Sequence, residues 1–113
     1  MRPSAADSGA QVYLWYSSYI FVPFEVDPLK SAANKAKHGI DFVEAQALWS
    51  DPDRIELPAR PTNERRFLIV GQIMQAVWTA TVTYRHEEAI RIISVRRARD
   101  NEAQYVDAPQ RRR

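Results

Sequence analysis

Residues 90–99, IRIISVRRAR, limit how this chain can fold more tightly than any other stretch. Ile90, Ile92, Ile93 and Val95 are β-branched and apolar, a shape that suits a pleated and covered surface, so they predict a buried strand. Arg96, Arg97 and Arg99 then leave the strand end together. Their planar guanidinium groups match phosphate and carboxylate oxygens two at a time. Two readings of this basic cluster stand side by side: an anion-binding site at a rigid strand end, or the solvated start of a helix. Arg91 and Arg96 have opposite parity, and regular alternation sends them to opposite faces. That makes Arg91 a structural or partner contact, and Arg96 and Arg97 the phosphate ligands.

The rest of the chain supplies elements for this strand to pair with. Asp27 and Pro28 give an N-cap followed by proline in the first helical turn, where a missing N–H costs nothing. Residues 29–37 continue with helix formers, and Gly39 is a natural stop. Asp41 and Glu44 repeat the start signal as an approximate capping box. Phe42, Ala45, Leu48 and Trp49 share one face of the second helix, which ends at Asp51-Pro52. Residues 24–26 read as a short strand ahead of the helices and 54–57 as another behind them. After the proline loop 58–63 come three strands, 66–70, 77–84 and 89–95, joined by connections of hairpin length. A last helix covers residues 98–106. The expected fold is α+β: a short N-terminal strand, two helices, an antiparallel sheet of about four strands and a C-terminal helix, with the helices on one face.

Residues 1–11 are small and polar and are expected to be disordered. The aromatics Tyr13, Trp15, Tyr16, Tyr19 and Phe21 fit either an extra edge strand or a stretch upstream of the domain. Residues 1–23 are therefore read as an N-terminal extension, 24–106 as the domain and 107–113 as a basic tail. A chain of 113 residues can bury one modest core. The absence of cysteine excludes disulfides, thiol catalysis and cysteine zinc sites. His38 and His86 are too few for a metal cluster, so neither metal nor cofactor is expected. No stretch is apolar enough to span a bilayer and no secretory pattern opens the chain, which predicts a cytoplasmic protein without a membrane partner. The net charge is only +2, but arginine is concentrated after residue 54 whereas Lys30, Lys35 and Lys37 precede it. An arginine-heavy second half leans towards an anionic partner.

Several side chains could carry chemistry. His38 follows Lys37 at a helix C-terminus, where it either caps carbonyls or serves as a general acid or base. Glu64, Arg65 and Arg66 open a strand, and alternation sends the two arginines to opposite faces. Glu64 beside an arginine is either a surface pair or a base held near a phosphate-binding group. His86 reads as a turn residue. Trp49 belongs to the core, while Trp78 and Tyr84 are open candidates for stacking on unpaired bases. No phosphate-binding loop, dinucleotide fingerprint, HExxH or serine elbow is present.

In combination these pieces have a family likeness. FEVDPLKSAANKAKHGIDFVEAQALWSDP resembles the opening of the BrnT family of toxins, where F-E-W-D-P leads through an Asn to K-H-G and an F-x-E-A helix. The matching residues are Phe24, Glu25, Asp27, Pro28, Asn34, Lys37, His38, Gly39, Phe42, Glu44 and Ala45. The likeness resumes at Glu64, Arg66, Gly71, Thr83 and Arg85. It is densest at Arg91, Ile92, Ile93, Ser94, Arg96, Arg97 and Ala98, and it closes with Glu102 and Tyr105. The resemblance implies a toxin of a type II toxin–antitoxin system with a RelE-like fold, acting as a metal-independent ribonuclease. It also implies a BrnA-like antitoxin through which the complex contacts DNA and represses its own promoter. On that basis Glu64, Arg66, Arg96 and His38 are the catalytic candidates. Lys37, Arg97 and Arg65 are the RNA-binding candidates. Three departures stand out: Val26 replaces the family's Trp, Arg60 and Pro61 fall where a His-Ser pair is usual, and no glycine stands near Gln75. The lost loop histidine favours a rival reading, a non-catalytic module that binds RNA or antitoxin.

Overall fold

The structure is a computed structural model that describes residues 11–16, 21–60, 64–85 and 89–106. Helix α1, Pro28–His38, begins and ends where its caps require. The Asp27 carboxylate accepts from the backbone N–H of Leu29 at 2.9 Å and of Lys30 at 3.3 Å. Gly39 closes the helix at φ 84°, a left-handed conformation that a side chain would strain. Asp41 and Glu44 form the expected reciprocal box, each carboxylate accepting from the other's backbone N–H, at 2.7 and 2.9 Å. The element they open is a 3-10 helix, Glu44–Ser50, rather than an α-helix. Its tighter winding shows at both ends, where Gln46 donates to Val43 and Asp51 to Leu48.

The sheet is larger than the expected four antiparallel strands. It has six, β1 (Gln11–Tyr16), β2 (Phe21–Val26), β3 (Ile55–Pro58), β4 (Phe67–Ile73), β5 (Ala76–Tyr84) and β6 (Ile90–Arg97). Their spatial order is β1-β2-β6-β5-β4-β3. β6 pairs with β2 in parallel, Phe24 beside Ile90, so the sheet is mixed. The aromatic N-terminal segment takes the edge-strand alternative, with β1 antiparallel to β2. Of residues 1–11, expected to be disordered, only Gln11 is described, and it belongs to β1; the tail 107–113, residues 61–63 of the proline loop and the turn assigned to His86 lie outside the described residues.

One face of the sheet carries the main core. Phe24, Val26, Ile69, Ala80, Val82, Ile90, Ile92 and Val95 pack there against Ile40, Phe42, Ala45, Leu48 and Trp49. Phe24 meets Trp49 edge-on, with ring centroids 4.9 Å apart. Gly71 lets the 3-10 helix lie close, because a Cβ there would come within 3.1 Å of Leu48 Cδ2. Helix α2, Asp100–Val106, lies on the reverse face, so the expectation that all helices share one face is corrected. Val70 and Thr79 have the parity opposite to Ile69 and Ala80, and α2 covers them with Val106 and Glu102.

A β-bulge alters which residues of β6 share a face. Thr81 pairs with Ser94 and Val82 with Ile92, so Ile93 is an extra residue. Arg96 opposite Thr79 and Arg91 opposite Thr83 therefore point to the same, reverse face. This corrects the expectation from simple alternation. Arg97, opposite Trp78, points to the helical face.

Buried Asn34 ties α1 to β6. Its amide donates to the carbonyls of Ile40 and Val95, both at 2.8 Å, and its oxygen accepts from the Val95 N–H at 3.1 Å. Asn34→Ala would leave these buried backbone groups without partners. The expected loss of stability is about 3 kcal/mol, read from the urea unfolding midpoint.

Candidate functional site

Glu102 organises the basic strand end. Only 5 % exposed, its carboxylate receives both Arg96 Nη atoms, each at 2.8 Å. Its Oε1 also accepts from the Thr79 hydroxyl at 2.9 Å and from the Arg99 backbone N–H at 2.8 Å. The Arg96 hydrogen bonds pull the Glu102 pKa down to about 2, against the opposing effect of burial. Arg96 is correspondingly held above its ordinary value by Glu102. The sequence does carry a sign of this: a glutamate three residues after Arg99 fits the N-terminal box of a short helix. What it lacks is any indication that the same carboxylate reaches Arg96 and Thr79.

Arg66 lies on the same reverse face, because it continues the β4 alternation of Leu68 and Val70. Its Nη2 is 3.5 Å from Glu64 Oε2, and the side chain is half-buried. Across the sheet from it, Arg91 reaches Glu25 Oε1 at 3.0 Å, and Arg85 Nε approaches the same oxygen at 3.4 Å. The reverse face therefore carries Arg66, Arg91 and Arg96, with Glu64 beside Arg66 at the end of the sheet. Thr81 and Ser94, both half-buried, lie on that face between the positions of Arg91 and Arg96.

The remaining candidates are elsewhere. Lys37 is exposed and His38 half-buried at the C-terminus of α1, on the helical face. Arg97 shares that face, its guanidinium 5.2 Å from the centre of the Trp78 ring. Arg65 also points that way, 5.6 Å over Phe67. Arg60 is exposed. The structure thus sorts the candidates into a reverse-face group and a helical-face group, and His38 is not brought to Glu64 or Arg66. Among the described residues no group of three or more acidic or histidine side chains could hold a metal ion. No described helix is long and apolar enough to cross a membrane.

A family model described as "Ribonuclease toxin, BrnT, of type II toxin-antitoxin system" matches residues 27–102. The chain belongs to the BrnT family. A search of individually curated proteins finds no match. Among solved structures, the crystal structure of the Brucella abortus ribonuclease toxin BrnT aligns with a TM-score of 0.52 and 22% identity. The alignment covers 66% of this chain and 94% of that one, and it supports the BrnT fold. The family match spans the Asp27 cap, the Asn34 tie, Glu64, Arg66 and the Arg96–Glu102 pair, while β1 and β2 precede it.

The Glu102 pair gives a pH test. A carboxylate whose folded pKa lies near 2 instead of 4.5 stabilises the fold fully above about pH 4.5 and loses that contribution as the pH falls towards 2. Glu102→Gln is expected to lower stability at pH 7 by about 2 kcal/mol and to flatten this acid limb in urea unfolding. An unchanged acid dependence in the variant would refute the assignment.

Proposed function

We propose that this BrnT-family chain is a metal-independent endoribonuclease that inhibits translation, with its reaction centre on the reverse face of the sheet. The observation that carries the proposal is that Arg91 and Arg96, turned to one face by the bulge at Ile93, share that face with Arg66, which continues the β4 alternation. Arg66 beside Glu64 is the natural place for the scissile phosphate. Glu64 would take the proton from the ribose 2′-hydroxyl as its oxygen attacks the adjacent phosphorus. The bond from phosphorus to the 5′-oxygen would then break, and that oxygen would take a proton from solvent water, giving a 2′,3′-cyclic phosphate and a 5′-hydroxyl end, while Glu64 returns its proton to solvent. Preorganised cations contribute most where negative charge develops, which is the role assigned to Arg66. Arg96, whose guanidinium is oriented by Glu102, would hold a neighbouring phosphate. Lys37, Arg97 and Arg65, on the other face, would hold flanking RNA. His38, remote from Glu64, has no proton-transfer step in this scheme.

The partner in this proposal is a BrnA-like antitoxin in the cytoplasm, whose DNA-binding part would let the complex repress its promoter. The helix–sheet arrangement is compatible with a RelE-like fold. A second reading has two observations behind it: the Arg96 guanidinium is already engaged by Glu102, and Arg60 stands where the family's loop histidine is usual. In that reading the arginine face binds RNA or antitoxin without cleaving anything.

Purified, partner-free protein should cleave RNA in EDTA, and Arg66→Ala should lower kcat by about a hundredfold. Cyclic-phosphate ends on the products, detected by mass spectrometry, would support the 2′-hydroxyl route. Full activity in Arg66→Ala would refute the proposed centre, and folded wild type without activity would favour the binding module.

A further inference from the structure

Past the helix-covered core, the sheet ends in an open groove whose aromatic pair has no part in the reaction scheme above. Phe67 and Tyr84 form a tilted pair there, with ring centroids 5.3 Å apart and planes at 52°. Glu64, Arg65, Thr83 and Arg85 complete the lining. Arg65 extends over the Phe67 ring, and Tyr84 is 41% exposed. The Tyr84 hydroxyl donates to Glu56 at 2.6 Å, and burial with this bond raises its pKa well above the ordinary phenol value. The ring is therefore held by its tip while part of its surface stays open. Orienting an aromatic in this way lowers the ordering cost of stacking another ring on it.

We propose that this groove is a nucleobase subsite, in which one unpaired base of single-stranded RNA stacks against Tyr84 and Phe67 beside the Arg65 guanidinium. The proposal rests on the ribonuclease reading and deepens it by naming the form of RNA preferred. A base in a duplex is already stacked on its neighbours, so the groove selects unpaired strands. The surrounding charge agrees with a polyanion. Arg65 and Arg85 line the groove, and Arg54 acts on Tyr84 from an adjoining hollow that they share. Of the nearby carboxylates, Glu56 is engaged by the tyrosine hydroxyl and Glu25 lies 3.4 Å from Arg85 Nε. Glu64 forms part of the wall, which places the stacked base next to the proposed proton acceptor. The subsite thereby fixes which phosphate of a strand lies at Arg66.

The test uses the full chain and a labelled 2′-O-methyl RNA of about 12 nucleotides, single-stranded and uncleavable by this route, read by fluorescence anisotropy. Tyr84→Leu should weaken binding about tenfold, and Tyr84→Phe, which keeps the ring, should stay within about twofold of wild type. The duplex form of the same oligonucleotide should show no dependence on Tyr84. On cleavable RNA, Tyr84→Leu should raise KM and change which positions are cut, and a urea unfolding midpoint close to that of wild type verifies that the variant is folded. Equal single-strand binding by wild type and Tyr84→Leu overturns the subsite, as does a Tyr84→Leu defect confined to antitoxin binding. Tyr84-dependent binding by a wild type that never cleaves RNA overturns the nuclease reading and leaves the subsite standing.

Discussion

Burying a carboxylate without partners would cost several kcal/mol, so the position of Glu102 makes demands on everything near it. Four hydrogen bonds answer them, from the two Arg96 nitrogens, Thr79 and the Arg99 backbone. These donors come from β5, from β6 and from the turn into α2. One side chain thereby joins the last helix to the two central strands. The same bonds give Arg96 a single orientation, and a guanidinium with a fixed orientation is a more selective anion ligand than a free one. The structural role of Arg96 is thus compatible with the proposed phosphate-holding one, because the carboxylate occupies one edge of the guanidinium and fixes the direction of the rest.

The bulge at Ile93 has a comparable effect on the arrangement of charge. With regular alternation, Arg91 and Arg96 would lie on opposite faces and the reverse face would hold a weaker positive patch. The extra residue keeps Ile90, Ile92 and Val95 together in the core while both arginines share the other side. Core packing and charge clustering are satisfied by one irregularity in one strand. Such a feature sits where bulges are commonly found, next to a place where side chains must be re-aimed.

Local signals were legible in the sequence because short-range chemistry decides them. Asp27-Pro28, Gly39 and the Asp41/Glu44 pair each satisfy backbone groups within a few residues, and all three act as their residue types imply. The family likeness was legible too, since its residues are spread over most of the chain at characteristic separations. Long-range choices were not. Nothing local in FEV says that Phe24 will lie beside Ile90, nor that Asn34 will bond to Val95. The bulge was hidden for a related reason: IRIIS is apolar at neighbouring positions, so its pattern has no unique phase. The face taken by α2 follows from Glu102 meeting Thr79, which depends on that strand register.

The parallel pairing of β2 with β6 also has a consequence for how the protein comes into being. Glu25 and Arg91, neighbours in the folded sheet, are separated by 66 positions in the chain. During synthesis β2 emerges early, and its inner edge must wait until nearly the whole domain has been made before its partner exists. Contacts of such wide separation tend to slow folding and leave an unsatisfied strand edge exposed meanwhile. The basic strand end and Glu102 follow every other strand of the sheet. A ribosome-bound fragment ending before β6 would have its first helix and the 3-10 segment to draw on, but not the arginine face. Chain order thus acts as a timer, withholding the assembled charge cluster until translation of the domain is almost complete.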